Sequence, residues 1–109
     1  MKKVLIVAKD GAIRDSLRLV CEKMNFEGIA TDHAEALNAF LSEEPTAVVI
    51  CDYEERCDKK EFKGAETFKD IKNSATNEIV LRLGFSKFDY ADYLQMPFDL
   101  KELEKKLSR

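Results

Sequence analysis

At 109 residues the chain has room for one domain with one core and not for two. Its 45% apolar and 36% charged residues are ordinary for a soluble globular protein, and a net charge of −3 without a basic stripe argues against a nucleic-acid surface. No apolar run approaches a membrane span, and the five apolar residues after Met1-Lys2-Lys3 are too few for a signal-peptide core, so the expected compartment is the cytoplasm.

Val4-Leu5-Ile6-Val7-Ala8 is a continuous apolar run and reads as a strand buried on both faces. Lys9-Asp10-Gly11 turns it into a helix with Asp10 as N-cap, and Ile13, Leu17, Val20, Cys21 and Met24 make a stripe at helical spacing. Asn25 and Gly28 bracket the exit from that helix and a short strand from Glu27 to Thr31. Asp32 is the next N-cap candidate, with Ala36, Leu37, Phe40 and Leu41 as the inward face of a second helix that Pro45 stops. His33, the one histidine, stands at a helix start away from any Cys or Asp cluster and reads as a solvated residue.

Ala47-Val48-Val49-Ile50-Cys51 then runs straight into Asp52. A carboxylate at the carboxyl end of a buried strand stands where open α/β sheets place functional groups. It serves as a phosphoryl acceptor, a metal ligand or a loop cap. Tyr53 to Lys63 is a polar segment of mixed charge. Its Glu54, Glu55, Asp58 and Glu61 are potential metal ligands, although a solvated loop is the simpler reading. Gly64 opens a third helix with Ala65, Phe68 and Ile71 inward, and Asn73 to Asn77 is a turn. Ile79 to Leu83 is a fourth strand, with Arg82 on the face opposite Leu81 and Leu83. Phe85 to Ala91 is short and aromatic. Asp92 to Met96 is a fifth strand closed by Pro97, and Asp99 caps a last helix with Leu100, Leu103 and Leu107 inward.

Three cysteines make an odd count without metal spacing. Cys21 and Cys51 read as core thiols. Cys57 reads as exposed, beside Arg56, Lys59 and Lys60, which would lower its pKa. The alternation of strands and helices implies a single α/β domain, residues 1–109, built as a doubly wound five-stranded parallel sheet. Its functional edge would collect the strand ends at Ala8, Asp52, Leu83 and Met96.

Four segments carry a resemblance to the response-regulator receiver domain, across essentially the whole chain. They are Lys3 to Val7, Ala47 to Asp52, Gly64-Ala65-Glu66, and Ala91-Asp92-Tyr93-Leu94-Gln95-Met96-Pro97-Phe98-Asp99-Leu100. The last is similar to the family's ADYLxKPFDL ending and is the most specific. The resemblance implies a CheY-like, flavodoxin-like fold with strand order 2-1-3-4-5. It implies a phosphoacceptor at Asp52 and a divalent ion beside it.

The pocket chemistry departs from that pattern. The family's acidic pair after the first strand corresponds to Ala8 and Lys9, with Asp10 too late and suited to capping. Its hydroxyl after the fourth strand corresponds to Leu83, or to Arg82 with a shift of one. Its lysine before proline is Met96, and Tyr93 holds the switch-aromatic position without its hydroxyl partner. A hard cation needs several oxygens, and Asp10 and Asp52 are the two that remain. Lys9 is expected either to pair with Asp52 or to point into solvent. Only seven residues separate Gly84 from Asp92, where a parallel crossover takes about a dozen or more, so the fourth helix is expected to be missing or reduced to a turn. Phe88 and Tyr90 in that connection, with Arg82, form a candidate partner surface.

The expectation is a degenerate, pseudo-receiver module of two-component signalling. It is not an enzyme, and it acts by protein contact without phosphorylation. Its partner would be a sensor kinase, a downstream signalling protein or a second copy of the chain. Neither nucleic acid nor membrane is expected as a partner. The alternative is a conventional phosphoacceptor modified at Asp52, which would require Mg2+; otherwise no cofactor is expected. A rival of another class is a cofactor binder or enzyme on the flavodoxin-like fold. It is disfavoured because no Ser/Thr/Gly-rich phosphate loop follows the first strand. A purely structural oligomerisation unit is a third class.

Overall fold

The computed structural model describes residues 2–51, 63–84, 93–95 and 99–107. Within them run β1 (Lys2–Val7), α1 (Gly11–Lys23), β2 (Phe26–Thr31), α2 (Ala36–Glu43), β3 (Ala47–Cys51), α3 (Lys63–Ser74), β4 (Ile79–Gly84), β5 (Tyr93–Gln95) and α4 (Leu100–Leu107). The strands form one parallel sheet in the order β2-β1-β3-β4-β5. Val4 registers with Gly28 and Ala47, Ala47 with Ile79, and Arg82 with Tyr93.

The sheet is covered on both faces, which is why β1 and β3 are apolar at every core position. All five residues of β3 are buried. Val4, Ile6, Val49, Cys51, Leu81, Leu83 and Leu94 face one layer, where Leu17 and Cys21 of α1 and Leu103 and Leu107 of α4 pack. Leu5, Val7, Val48, Ile50 and Val80 face the other, against Ala36, Phe40 and Ile71 of α2 and α3. Each fully buried aliphatic side chain contributes about 1.5–3 kcal/mol.

Local signals place the helix ends. The Asp10 carboxylate accepts hydrogen bonds from the N–H groups of Ala12 (2.7 Å) and Ile13 (3.3 Å), which fixes the start of α1. Asn25 ends it in the left-handed region at φ 64°, a conformation its short side chain tolerates. Glu44 ends α2 the same way at φ 50°, just before Pro45. The Asp99 carboxylate accepts from the Glu102 N–H at 3.0 Å and caps α4. At Gly28 a Cβ would lie 2.8 Å from Cγ of Arg18, so this glycine lets α1 approach the edge strand β2.

Several expectations are corrected. Leu37 and Leu41 are not inward: they are 37% and 60% exposed, while Ala36 and Phe40 are buried. The two leucines form a second helical stripe one residue over, and the small Ala36 brings the backbone of α2 close to the sheet on its own side. Leu100 is likewise half exposed because Leu103 and Leu107 alone reach the core from α4. Asp32 does not cap α2; its carboxylate accepts from the Glu35 N–H at 3.0 Å and closes a turn before the helix. His33 is half-buried, with Nδ1 3.0 Å from the hydroxyl of Thr67 on α3. Tyr93 is buried, at 3% exposure.

β4 and β5 pair in parallel across residues 85–92, a connection of eight residues, and the described residues hold four helices. Phe85, Phe88 and Tyr90 in that connection lie outside the described residues, as do Asp52, Cys57 and Met96. No helix among the described residues is long and apolar enough to cross a membrane.

Candidate functional site

The carboxyl edge of the sheet is built by the ends of β1, β3 and β4 and by the loop that leads into α1. Ala8 follows β1 directly. Its N–H donates to the Thr31 carbonyl at 3.1 Å, and its side chain is fully buried. Cys51 closes β3 and Leu83 stands near the end of β4, both also at 0% exposure. Ala8, Cys51, Leu83 and Leu94 belong to one apolar cluster. The described side chains on the α1 side of this edge are therefore buried and apolar.

Two polar side chains at this loop, Asp10 and Arg14, bond backbone groups. Asp10 points its carboxylate at the first turn of α1, as its capping bonds require. Arg14, one turn into α1, reaches back over the loop. Its Nη1 donates to the carbonyls of Ala8 at 2.8 Å and Lys9 at 3.0 Å. Sequence pattern gives no signal for this, since a half-buried arginine at a helix start reads as a solvated one. The consequence is electrostatic: a guanidinium is fixed at the edge, beside the exposed Lys9. No group of three or more His, Cys, Asp or Glu capable of holding a metal occurs among the described residues, and Asp52 lies outside them.

Of the candidate residues, the structure brings Ala8, Lys9, Asp10 and Leu83 to this edge. Arg82 is half-buried on the opposite face from Leu81 and Leu83, as strand alternation requires. Its guanidinium carbon lies 5.7 Å from the centre of the Phe68 ring of α3, in cation–π contact. Tyr93, its register partner, is buried on that same face. Asp52 follows Cys51 in the chain, and its own position, like those of Met96, Phe88 and Tyr90, is outside the described residues.

Cys21 and Cys51 are both buried, as their strand and helix positions imply. Burial pushes the Cys21 thiol up to about 11, with the neighbouring Glu22 carboxylate adding to the effect. At neutral pH it is a protonated core thiol and not a nucleophile.

No protein-family model matches the sequence, and no curated protein matches it. Solved structures do match in shape. A response regulator receiver domain (CheY-like) from Methylobacillus flagellatus superposes with a TM-score of 0.77 at 20% identity, covering 99% of this chain and 97% of that one. A chain from the complex of histidine kinase ThkA with response regulator protein TrrA gives 0.79 at 21% identity, over 99% and 97%. The pseudo-receiver domain of the CikA protein gives 0.71 at 16% identity, over 99% and 95%. At these identities the likeness is one of fold, and it agrees with the strand order found in the sheet. The chain has the receiver fold, five parallel strands in the order 2-1-3-4-5, with Ala8, Lys9, Asp10, Arg14 and Leu83 at the carboxyl edge of its sheet.

Proposed function

We propose that this domain is a pseudo-receiver: a non-enzymatic module of two-component signalling that works through protein contacts without taking up a phosphoryl group. The observation that carries the reading is the carboxyl edge. Ala8 and Leu83 are buried in one apolar cluster, Asp10 is engaged as an N-cap, and Arg14 is fixed on the Ala8 and Lys9 carbonyls. Phosphoryl transfer between a kinase and an aspartate relies on cations that neutralise charge developing on the phosphoryl oxygens. In the resembled family that charge is met by a divalent ion and a lysine, and here Ala8 and Lys9 stand at the positions of the family's acidic pair. Arg14 and Lys9 supply positive charge of their own, which repels a divalent ion and stabilises a carboxylate such as Asp52 without one. A receiver held this way stays in one state and acts as a docking unit. The similar structures include a pseudo-receiver and a complex of a histidine kinase with a response regulator, and the complex supports a protein partner such as a sensor kinase.

Magnesium titration of the 15N-labelled protein tests this reading. Amide shifts at Lys9, Asp10 and Cys51 are expected to move little and without saturation. A site that saturates at low-millimolar magnesium, and is lost in Asp52→Asn, overturns it in favour of a conventional phosphoacceptor.

A further inference from the structure

We propose that the outer face of α2, together with the groove between α2 and α3, is a docking surface for a cationic amphipathic helix of a partner protein. Leu37 and Leu41 are both exposed and stand one helical turn apart. That spacing suits an apolar face whose anchors recur at i and i+4, the pattern of helix-in-groove recognition. Beside Leu37 a groove of about 270 Å³ opens between the helices, lined by Leu37 and Asn38 on one side and Thr67, Asp70 and Ile71 on the other. Its inner end is tied by the 3.0 Å contact between His33 Nδ1 and the Thr67 hydroxyl, which links the turn before α2 to α3. The groove is too small for a helix and has room for one long side chain.

Charge selects the occupant. Residues 31–46 carry four carboxylates, Asp32, Glu35, Glu43 and Glu44, and neither lysine nor arginine; Glu43 is paired with Lys3 at 3.8 Å, which leaves Asp32, Glu35 and Glu44 for the rim. Asp32, Glu35 and Glu44 are exposed, and Asp70 adds a carboxylate from the α3 side. Lys69 and Lys72 of α3 do not line the groove. An acidic rim around two leucines fits a helix with apolar anchors flanked by lysine or arginine, one of which enters the groove toward Asp70. A second copy of this chain fits less well, because its own exposed leucines, Leu19 and Leu100, stand among charges of both signs. This surface is on α2 and α3, away from the β1–α1 loop, and the proposal does not depend on whether Asp52 takes a phosphoryl group.

A synthetic amphipathic helix of leucine and lysine is the probe, with the same peptide carrying glutamate for lysine as its control. Titrated against the 15N-labelled domain, the lysine peptide is expected to shift amides of α2 and of Thr67 to Ile71, and the glutamate peptide is expected to shift none. The double variant Leu37→Ser, Leu41→Ser should weaken binding about tenfold or more and leave the fold intact, since both side chains are exposed. The variant Leu19→Ser, Leu100→Ser should bind as tightly as the native domain. Shifts spread over the whole acidic surface, equal loss in both double variants, or concentration-dependent self-association through α2 would each overturn the proposal.

Discussion

Asp10 brings a carboxylate to the edge where a receiver would need one, and the geometry turns it toward the helix. Its two bonds to Ala12 and Ile13 N–H groups satisfy donors that α1 cannot satisfy internally. Asp10→Ala is therefore expected to cost about 1 kcal/mol in denaturant unfolding, and Asp10→Asn or Asp10→Ser to cost less. Glu44 makes the opposite case. It holds φ 50° with a side chain that gains nothing from that conformation. Glu44→Gly should raise stability by about 0.5–1 kcal/mol, read as a higher denaturation midpoint. Cys21 carries a prediction in pH. Its folded pKa, about 11, lies above the ordinary thiol value of 9.0. The unfolded chain therefore loses this proton first as pH rises, and the stability held by the buried thiol is complete below about 9 and lost on approach to about 11. Cys21→Ala should flatten that part of the stability profile. In the native protein at neutral pH, Cys21 and Cys51 should resist alkylation until the domain unfolds.

At the scale of elements, the strands were the legible part. Val4 to Val7 and Ala47 to Cys51 are continuous apolar runs because helices cover both sides of them, and no competing periodicity obscures them. The caps at Asp10 and Asp99 were legible because each is a short polar residue just before an apolar helical stripe. The rotation of α2 was not, since Ala36–Phe40 and Leu37–Leu41 are equally good stripes on an eight-residue helix. Only the sheet beneath decides between them. Nor was the packing of Arg14 over the Ala8 and Lys9 carbonyls, of His33 on Thr67, or of Arg82 on Phe68. These are contacts of half-buried polar side chains, two of them between distant segments, which hydrophobic periodicity does not encode. The rotation of α2 bears on function, for the same choice that buries Phe40 leaves Leu37 and Leu41 facing outward.

At the scale of the molecule, the receiver fold rests on two apolar clusters, one on each face of a five-stranded parallel sheet. Among the described residues, the members of both clusters are uncharged, so their packing does not draw on a bound ion. Ala8 and Leu83 contribute to the core where pocket residues would otherwise contribute to reactivity. Ala8→Asp would place a carboxylate in that apolar cluster and is expected to destabilise the domain by about 2 kcal/mol or more. The central claim, signalling without phosphoryl uptake, is tested most directly by intact-mass spectrometry of the native domain incubated with an acyl-phosphate donor and magnesium. The account predicts no stoichiometric phosphoryl adduct. A full adduct that disappears in Asp52→Asn would contradict it.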